Sequence, residues 1–138
     1  METITSRHNP LVAHLRRLAS SGSYRRERGE FLCDSPKLLH EALLHGAELL
    51  TVAATRGMAL PDGIHAGVRL VEVPEDVMQL ISPAKTPQGV VFTCRLPRTE
   101  CPQTLTGARY LALDGVQDPG NVGTILRTLD AFEADGLV

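Results

Sequence analysis

The segment Leu113-Asp-Gly-Val-Gln-Asp-Pro-Gly-Asn-Val-Gly-Thr-Ile-Leu-Arg-Thr128 holds the residue types best suited to chemistry. Its pattern is a strand, a tight turn and a helix start. Asp118-Pro119-Gly120 is a turn tripeptide, and Asn121 is a natural N-cap. Loops at the carboxyl ends of strands in α/β sheets are where ligands tend to sit. Free N–H groups at a helix start attract anions. Arg127 follows Gly123 by one helical turn, and helical side chains lean toward the N-terminus. A guanidinium and backbone donors would then converge on one spot, fit for a phosphate or another polar ligand. Read from the residues alone, the alternative is a surface helix with Arg127 paired to Asp130 or Glu133. The segment is neither a P-loop nor a G-x-G-x-x-G fingerprint, so nucleoside triphosphate and dinucleotide readings lack support.

A second chemical signal is the distribution of charge. The net charge of −2 does not advertise a nucleic-acid partner. Yet residues 7–28 carry six arginines (Arg7, Arg16, Arg17, Arg25, Arg26 and Arg28) against the single acid Glu27, whereas from Glu41 onward seven basic residues face twelve acids. A near-neutral total conceals a basic front. Arginine without lysine suits bidentate phosphate contacts. Tyr24–Glu30 is expected to be a basic loop in which Tyr24 offers a ring for a base. A solvated helix face with a mobile loop is the competing reading. The cysteines Cys33, Cys94 and Cys101 form no C-x-x-C pair, and the five histidines form no i, i+4 pair. No metal is therefore assigned.

The elements that must position these groups follow from periodicity. Asn9-Pro10 opens a helix with Leu11, Val12, Leu15 and Leu18 at helical spacing, broken at residues 20–23. Phe31–Cys33 reads as a strand. Ser35-Pro36 starts a second helix, which Gly46 stops. Leu49–Ala54, Val68–Val73 and Gln88–Leu96 read as strands, and Glu75–Ile81 as a short helix with acids in its first turn. This alternation predicts a layered α/β domain over residues 1–97. Residues 98–107, rich in Pro and Thr, read as a linker. A further unit spans 108–138, with a strand at Tyr110–Leu113, a helix over Asn121–Ala134 and a strand beginning at Gly136. No apolar run reaches membrane-spanning length, and METITSRHNP has no apolar signal region, so cytoplasm is the expected compartment.

The Leu113–Thr128 segment resembles, almost residue for residue, the first motif of the SpoU (TrmH-like) branch of the SPOUT RNA methyltransferases. Ile4-Thr-Ser-Arg-His-Asn-Pro10, Gly29-Glu-Phe-Leu32, Glu41-Ala-Leu43 and Ser82–Val90 resemble the substrate-binding domain that precedes the catalytic domain in that family. The resemblance implies a small α/β RNA-binding domain of ribosomal-protein type, followed by the start of a trefoil-knotted domain that binds S-adenosylmethionine and dimerises. It implies methyl transfer to a ribose 2′-oxygen of ribosomal or transfer RNA. Asn121 and Arg127 match the motif's functional Asn and Arg. The RNA-contacting set is expected to be Arg7, Asn9, Arg16, Arg17, Arg25, Arg26 and Arg28. The motifs for the cofactor would lie beyond Val138, so the chain reads as the front of a longer enzyme that would not bind the cofactor by itself. A stand-alone RNA-binding module is the alternative.

The sequence departs from the family pattern in three places. Cys33-Asp34-Ser35 stands where the family often has a residue followed by Glu-Gly, Leu129 replaces a usual Ala, and Glu133 replaces a usual Gly. A guanidinium stays protonated in proteins, so Arg127 is expected to clamp a phosphate and stabilise charge on the 2′-oxygen rather than act as a base.

Overall fold

The computed structural model describes residues 1–97 and 103–138, which fall into two compact units, Met1–Pro97 and Arg98–Val138. The α/β class expected from the sequence is the class found.

In the first unit Asn9 caps α1 (Pro10–Ser20), its Oδ1 accepting from the Leu11 N–H at 2.8 Å. Leu11, Val12, Leu15 and Leu18 are buried along one stripe. Ser21 then serves both neighbours. Its N–H donates to Arg17 O at the end of α1, and its Oγ accepts from Tyr24 N to start α2 (Gly22–Arg28). Tyr24–Glu30 is thus not a loop. The helix ends at Gly29, whose φ of 61° suits glycine, and its last turn holds Arg25, Arg26 and Arg28, where cations favour a helix.

The remaining elements are β2 (Glu30–Asp34), α3 (Pro36–Leu44), β3 (Leu49–Thr55), β4 (Arg69–Val73), α4 (Glu75–Ile81) and β5 (Val90–Arg95), all close to their expected positions. One strand was not expected from the sequence. β1 (Glu2–Thr3) pairs parallel with β4, so that Glu2 lies opposite Val71. The five-stranded sheet runs β1-β4-β3-β5-β2, parallel from β1 to β3 and antiparallel beyond.

Strand alternation divides the core between the two faces. Ala53, Val71, Val73 and Val91 meet α1 and α4 through Leu15, Leu18, Val77 and Ile81. Val52, Ala54, Val90, Phe92 and Cys94 meet Leu39 of α3. The parallel β3–β4 crossover contains no helix. Met58, Leu60 and Ile64 from that connection pack on the second cluster instead, covering the sheet as a helix would. Burial pushes the Cys94 thiol up to about 11, with Cys33 and Glu30 adding to the effect. Thr93 is fully buried, and its hydroxyl finds no partner among the described residues.

The second unit is a single β-α-β turn. β6 (Tyr110–Leu111) and β7 (Gly136–Leu137) are parallel, joined by α5 (Pro119–Ala131). β6 is shorter than the strand expected to reach Leu113, and α5 ends before the expected Ala134. The Asp135 carboxylate accepts from the N–H groups of Ala108 and Arg109 at 2.9 and 2.8 Å, and these bonds hold its carboxyl below the usual value. A side chain on Gly107 would collide with Asp135, which explains glycine there. Residues 103–107 form neither helix nor strand. The rest of the expected linker, including Cys101, lies outside the described residues.

Candidate functional site

The arginines of the first unit divide by what their side chains touch. Arg7 is held against the first turn of α4 by Asp76, with Nη2–Oδ2 at 2.7 Å and both groups exposed. Arg25 Nη1 donates to the carbonyl of Leu18 at 2.7 Å, closing the open end of α1. Arg17 lies over the Tyr24 ring, its guanidinium carbon 3.9 Å from the ring centroid. Arg16, Arg26 and Arg28 are exposed and form no ion pair among the described residues. Asn9, placed with the RNA-contacting set by the sequence, is engaged as the cap of α1.

Beneath Arg17 lies a constellation that was not anticipated. His14 Nδ1 is 2.9 Å from the Tyr24 hydroxyl, and His14 Nε2 is 3.1 Å from Glu30 Oε2. An ionised carboxylate only accepts, so Nε2–H donates to Glu30, and in the neutral ring Nδ1 accepts from the Tyr24 hydroxyl. Glu30 is only 8% exposed, which makes this bond its compensation for burial. The rings of His14 and Tyr24 meet edge to face, with centroids 5.6 Å apart at 70°. The signal was present in the sequence: His14 stands three residues after Leu11 and four before Leu18, on the buried stripe of α1. Tyr24, expected to stack a base directly, is instead pinned below Arg17 and packed against the core.

Arg16 and Arg17 also line an open cleft of about 560 Å³, whose other walls are Ala13, Ala19, Ser20, Leu80 and Pro83. The cleft therefore lies between α1 and the C-terminal end of α4. Two cations and an apolar wall define its chemistry.

In the second unit the cap of α5 is Asp118, not Asn121. Asp118 Oδ1 accepts from the N–H groups of Gly120 at 2.6 Å and Asn121 at 3.1 Å, and Asp118 O accepts from Val122 N. The first donors of the helix are thus filled by a carboxylate, and the anion seat expected there is occupied by the chain itself. Asn121 is exposed, and its side chain makes no hydrogen bond among the described residues. Arg127 lies where its spacing puts it: its Nη1 is 3.6 Å from where a Cβ on Gly123 would stand. Its Nη2 approaches Thr124 Oγ1 at 3.4 Å, and it makes no ion pair with Asp130 or Glu133.

Among the described residues no group of three or more His, Cys, Asp or Glu is arranged to hold a metal ion, and no helix is long and apolar enough to cross a membrane. S-adenosylmethionine requires enclosure of an adenosine and an amino-acid end. Asn121 and Arg127 stand exposed on one helix whose first N–H groups are already taken, so residues 103–138 do not by themselves fit that group.

Residues 9–91 match the family model of the MRM3-like substrate binding domain. Over its whole length the chain is 28% identical to a Bacillus subtilis protein named 23S rRNA (guanosine(2553)-2′-O)-methyltransferase RlmP, covering 54% of it. The solved structure of an AdoMet-bound rRNA methyltransferase from Sinorhizobium meliloti superimposes with a TM-score of 0.76 at 33% identity, over 99% of this chain and 53% of that one. A putative RNA methyltransferase of the TrmH family from Porphyromonas gingivalis gives a TM-score of 0.74 at 36% identity, over 91% and 49%. The chain spans about half the length of the curated bacterial relatives it matches.

Proposed function

The chain belongs to the MRM3-like substrate-binding domain family, and on that premise we propose that its protein transfers a methyl group from S-adenosylmethionine to a ribose 2′-oxygen of ribosomal or transfer RNA. Residues 1–97 serve as the RNA-binding domain and residues 108–138 carry the first catalytic motif. The observation that carries RNA binding is the α1–α2 pair. Arg16, Arg26 and Arg28 are exposed on it and form no ion pair among the described residues, and Arg17 is exposed on α1 as well. Arg7, Asn9 and Arg25 are engaged in intramolecular bonds and support the fold around these groups.

Catalysis in this reading needs the 2′-hydroxyl aligned and its developing charge stabilised. Arg127, in no ion pair among the described residues and resting over a bare glycine, clamps the neighbouring phosphate and stabilises the 2′-oxygen as its proton leaves toward that phosphate. Because Asp118 holds the turn, Asn121 is relieved of capping and its amide is available to the RNA. The exposed apolar residues Leu111, Leu126 and Phe132 support a homodimer of the whole protein.

Binding to an rRNA fragment, followed by fluorescence anisotropy across a salt series, tests the first half. Arg16, Arg26 and Arg28 replaced together by Ala should flatten the log–log salt slope by roughly two to three units. Mass spectrometry of the RNA after incubation with the whole protein and S-adenosylmethionine tests the second. Tight RNA binding without ribose methylation would reduce the protein to an RNA-binding module.

A further inference from the structure

The side chain that faces solvent above Tyr24 is a guanidinium, and this changes what the stack can receive. Tyr24 is immobilised from two directions, by the hydrogen bond from its hydroxyl to His14 and by the edge contact with the His14 ring. Arg25, next to it in α2, is tied to the Leu18 carbonyl of α1. Arg17 therefore lies on a fixed base, 3.9 Å above the ring, and is itself exposed. A guanidinium centred over one aromatic ring is a planar cation that has a further face to offer, a surface on which nucleobases stack.

The same Arg17 forms one wall of the cleft between α1 and α4. Its volume of about 560 Å³ falls within the roughly 300–1,000 Å³ usual for small-ligand sites. A site for phosphate alone would need only the two arginines. Here Ala13, Leu80 and Pro83 add an apolar wall beside the planar cation. Apolar contact plus a stacking cation plus a second cation is the recognition chemistry of a whole nucleotide. We propose that this cleft receives one unpaired RNA nucleotide, its base laid on the Arg17 plane against Ala13, Leu80 and Pro83 and its phosphate on Arg16. The proposal rests on the RNA-binding reading and adds selectivity to it. Both faces of a base inside a duplex are already stacked, so a paired nucleotide cannot use the site.

Anisotropy with a fluorescein-labelled twelve-nucleotide oligo(A) and a duplex RNA of the same length separates the possibilities. Arg17→Lys keeps the charge and removes the plane. It should weaken oligo(A) binding about fivefold or more, the scale of one stacked base, while leaving the duplex within about twofold. Arg28→Ala, which removes charge alone, should weaken both probes alike. Ala13→Leu fills the cleft from an exposed helical position without altering charge, and should reproduce the selective loss even if Arg17→Lys disturbs the fold. Loss of affinity for both probes in equal measure, or for neither, in Arg17→Lys and Ala13→Leu would overturn the nucleotide site while leaving RNA binding intact. Failure of the unaltered chain to bind either probe would overturn both this site and the RNA-binding reading.

Discussion

Arg25 donates from Nη1 to the carbonyl oxygen of Leu18 at 2.7 Å, so that one of the six arginines of the basic front fastens α2 to the end of α1. Arg26, its neighbour, makes no such bond among the described residues. Charge count treats the two as equal, but their geometry does not.

Arg25→Ala should therefore lower stability by about 1.5–3 kcal/mol, the range for a hydrogen bond that involves a charged group. Arg26→Ala and Arg28→Ala should each stay within about 0.5 kcal/mol. The RNA salt slope should respond in the opposite order, falling more for the Arg26 and Arg28 variants than for Arg25→Ala. Urea unfolding and salt titration of the three variants check both halves. Equal destabilisation by all three would remove the distinction.

Ser35 and Glu133 are the two non-glycine residues with positive φ among the described residues, at 107° and 50°. They are also the two positions where the sequence departs from a usual glycine of the SpoU pattern. Ser35 keeps a compensation, since its Oγ accepts from Leu38 N to start α3. Ser35→Gly should still raise stability by about 1 kcal/mol, because relief of roughly 1–3 kcal/mol of strain exceeds the few tenths lost with the cap and the entropy of a freer unfolded chain. Ser35→Ala keeps the strain and loses the cap, so it should cost about 1 kcal/mol. Thermal melts that shift in the same direction for both substitutions would contradict this account.

Arg127 must be tested in the whole protein. Arg127→Ala should abolish methylation while leaving cofactor affinity nearly unchanged, because in the proposed function its guanidinium addresses RNA. Arg127→Lys retains the charge without the planar fork and should still lose roughly a hundredfold in turnover, the scale of one preorganised donor. A Lys variant with nearly full turnover would mean that Arg127 only attracts RNA.

Asp135 predicts a pH response in the second unit. Its carboxyl lies below the ordinary 3.8 because Arg109 N–H and then Ala108 N–H bond to the ionised form. The stabilisation is complete above that ordinary value and is lost as pH falls through the lowered one. The amide resonances of Ala108 and Arg109 should titrate with a midpoint below 3.8, and Asp135→Asn should abolish the titration. A midpoint at or above 3.8 would refute the assignment.

Long periodic or β-branched runs made most of the first unit legible in the sequence. α1 and α3 declare themselves through Pro at the first helical position, and β3 and β5 through short apolar runs, Leu49–Ala54 and Val90–Phe92. α2 did not, because its seven residues, with Tyr24 the one core-facing side chain, carry no apolar period, and its ends are held by Ser21, Gly29 and the Arg25 bond to α1. β1 could not be read at all, since two residues hold no pattern and their pairing is with a strand far along the chain. The start of α5 was misplaced because Asp118-Pro119-Gly120-Asn121 offers two caps. Pro at the first helical position favours Asp118, and its carboxylate closes the turn. The lean of Arg127 over Gly123 followed from helical spacing alone. The link from His14 to Glu30 did not, because it joins a helix to a strand sixteen residues away.

The two residues of β1 also decide how the sheet ends. They pair with Val71 and Glu72 in the middle of β4, whose outward N–H and C=O groups would otherwise be left unpaired at the sheet edge. Arg69 grips Glu2 through both carboxylate oxygens at 3.0 Å, clasping this narrow selvedge in place. Trimming residues 1–4 removes little of the core, namely Ile4. It does turn β4 into a bare border able to zip onto the same border of another molecule. The first few residues thus act as a guard against aggregation, and an affinity tag is better carried away from them.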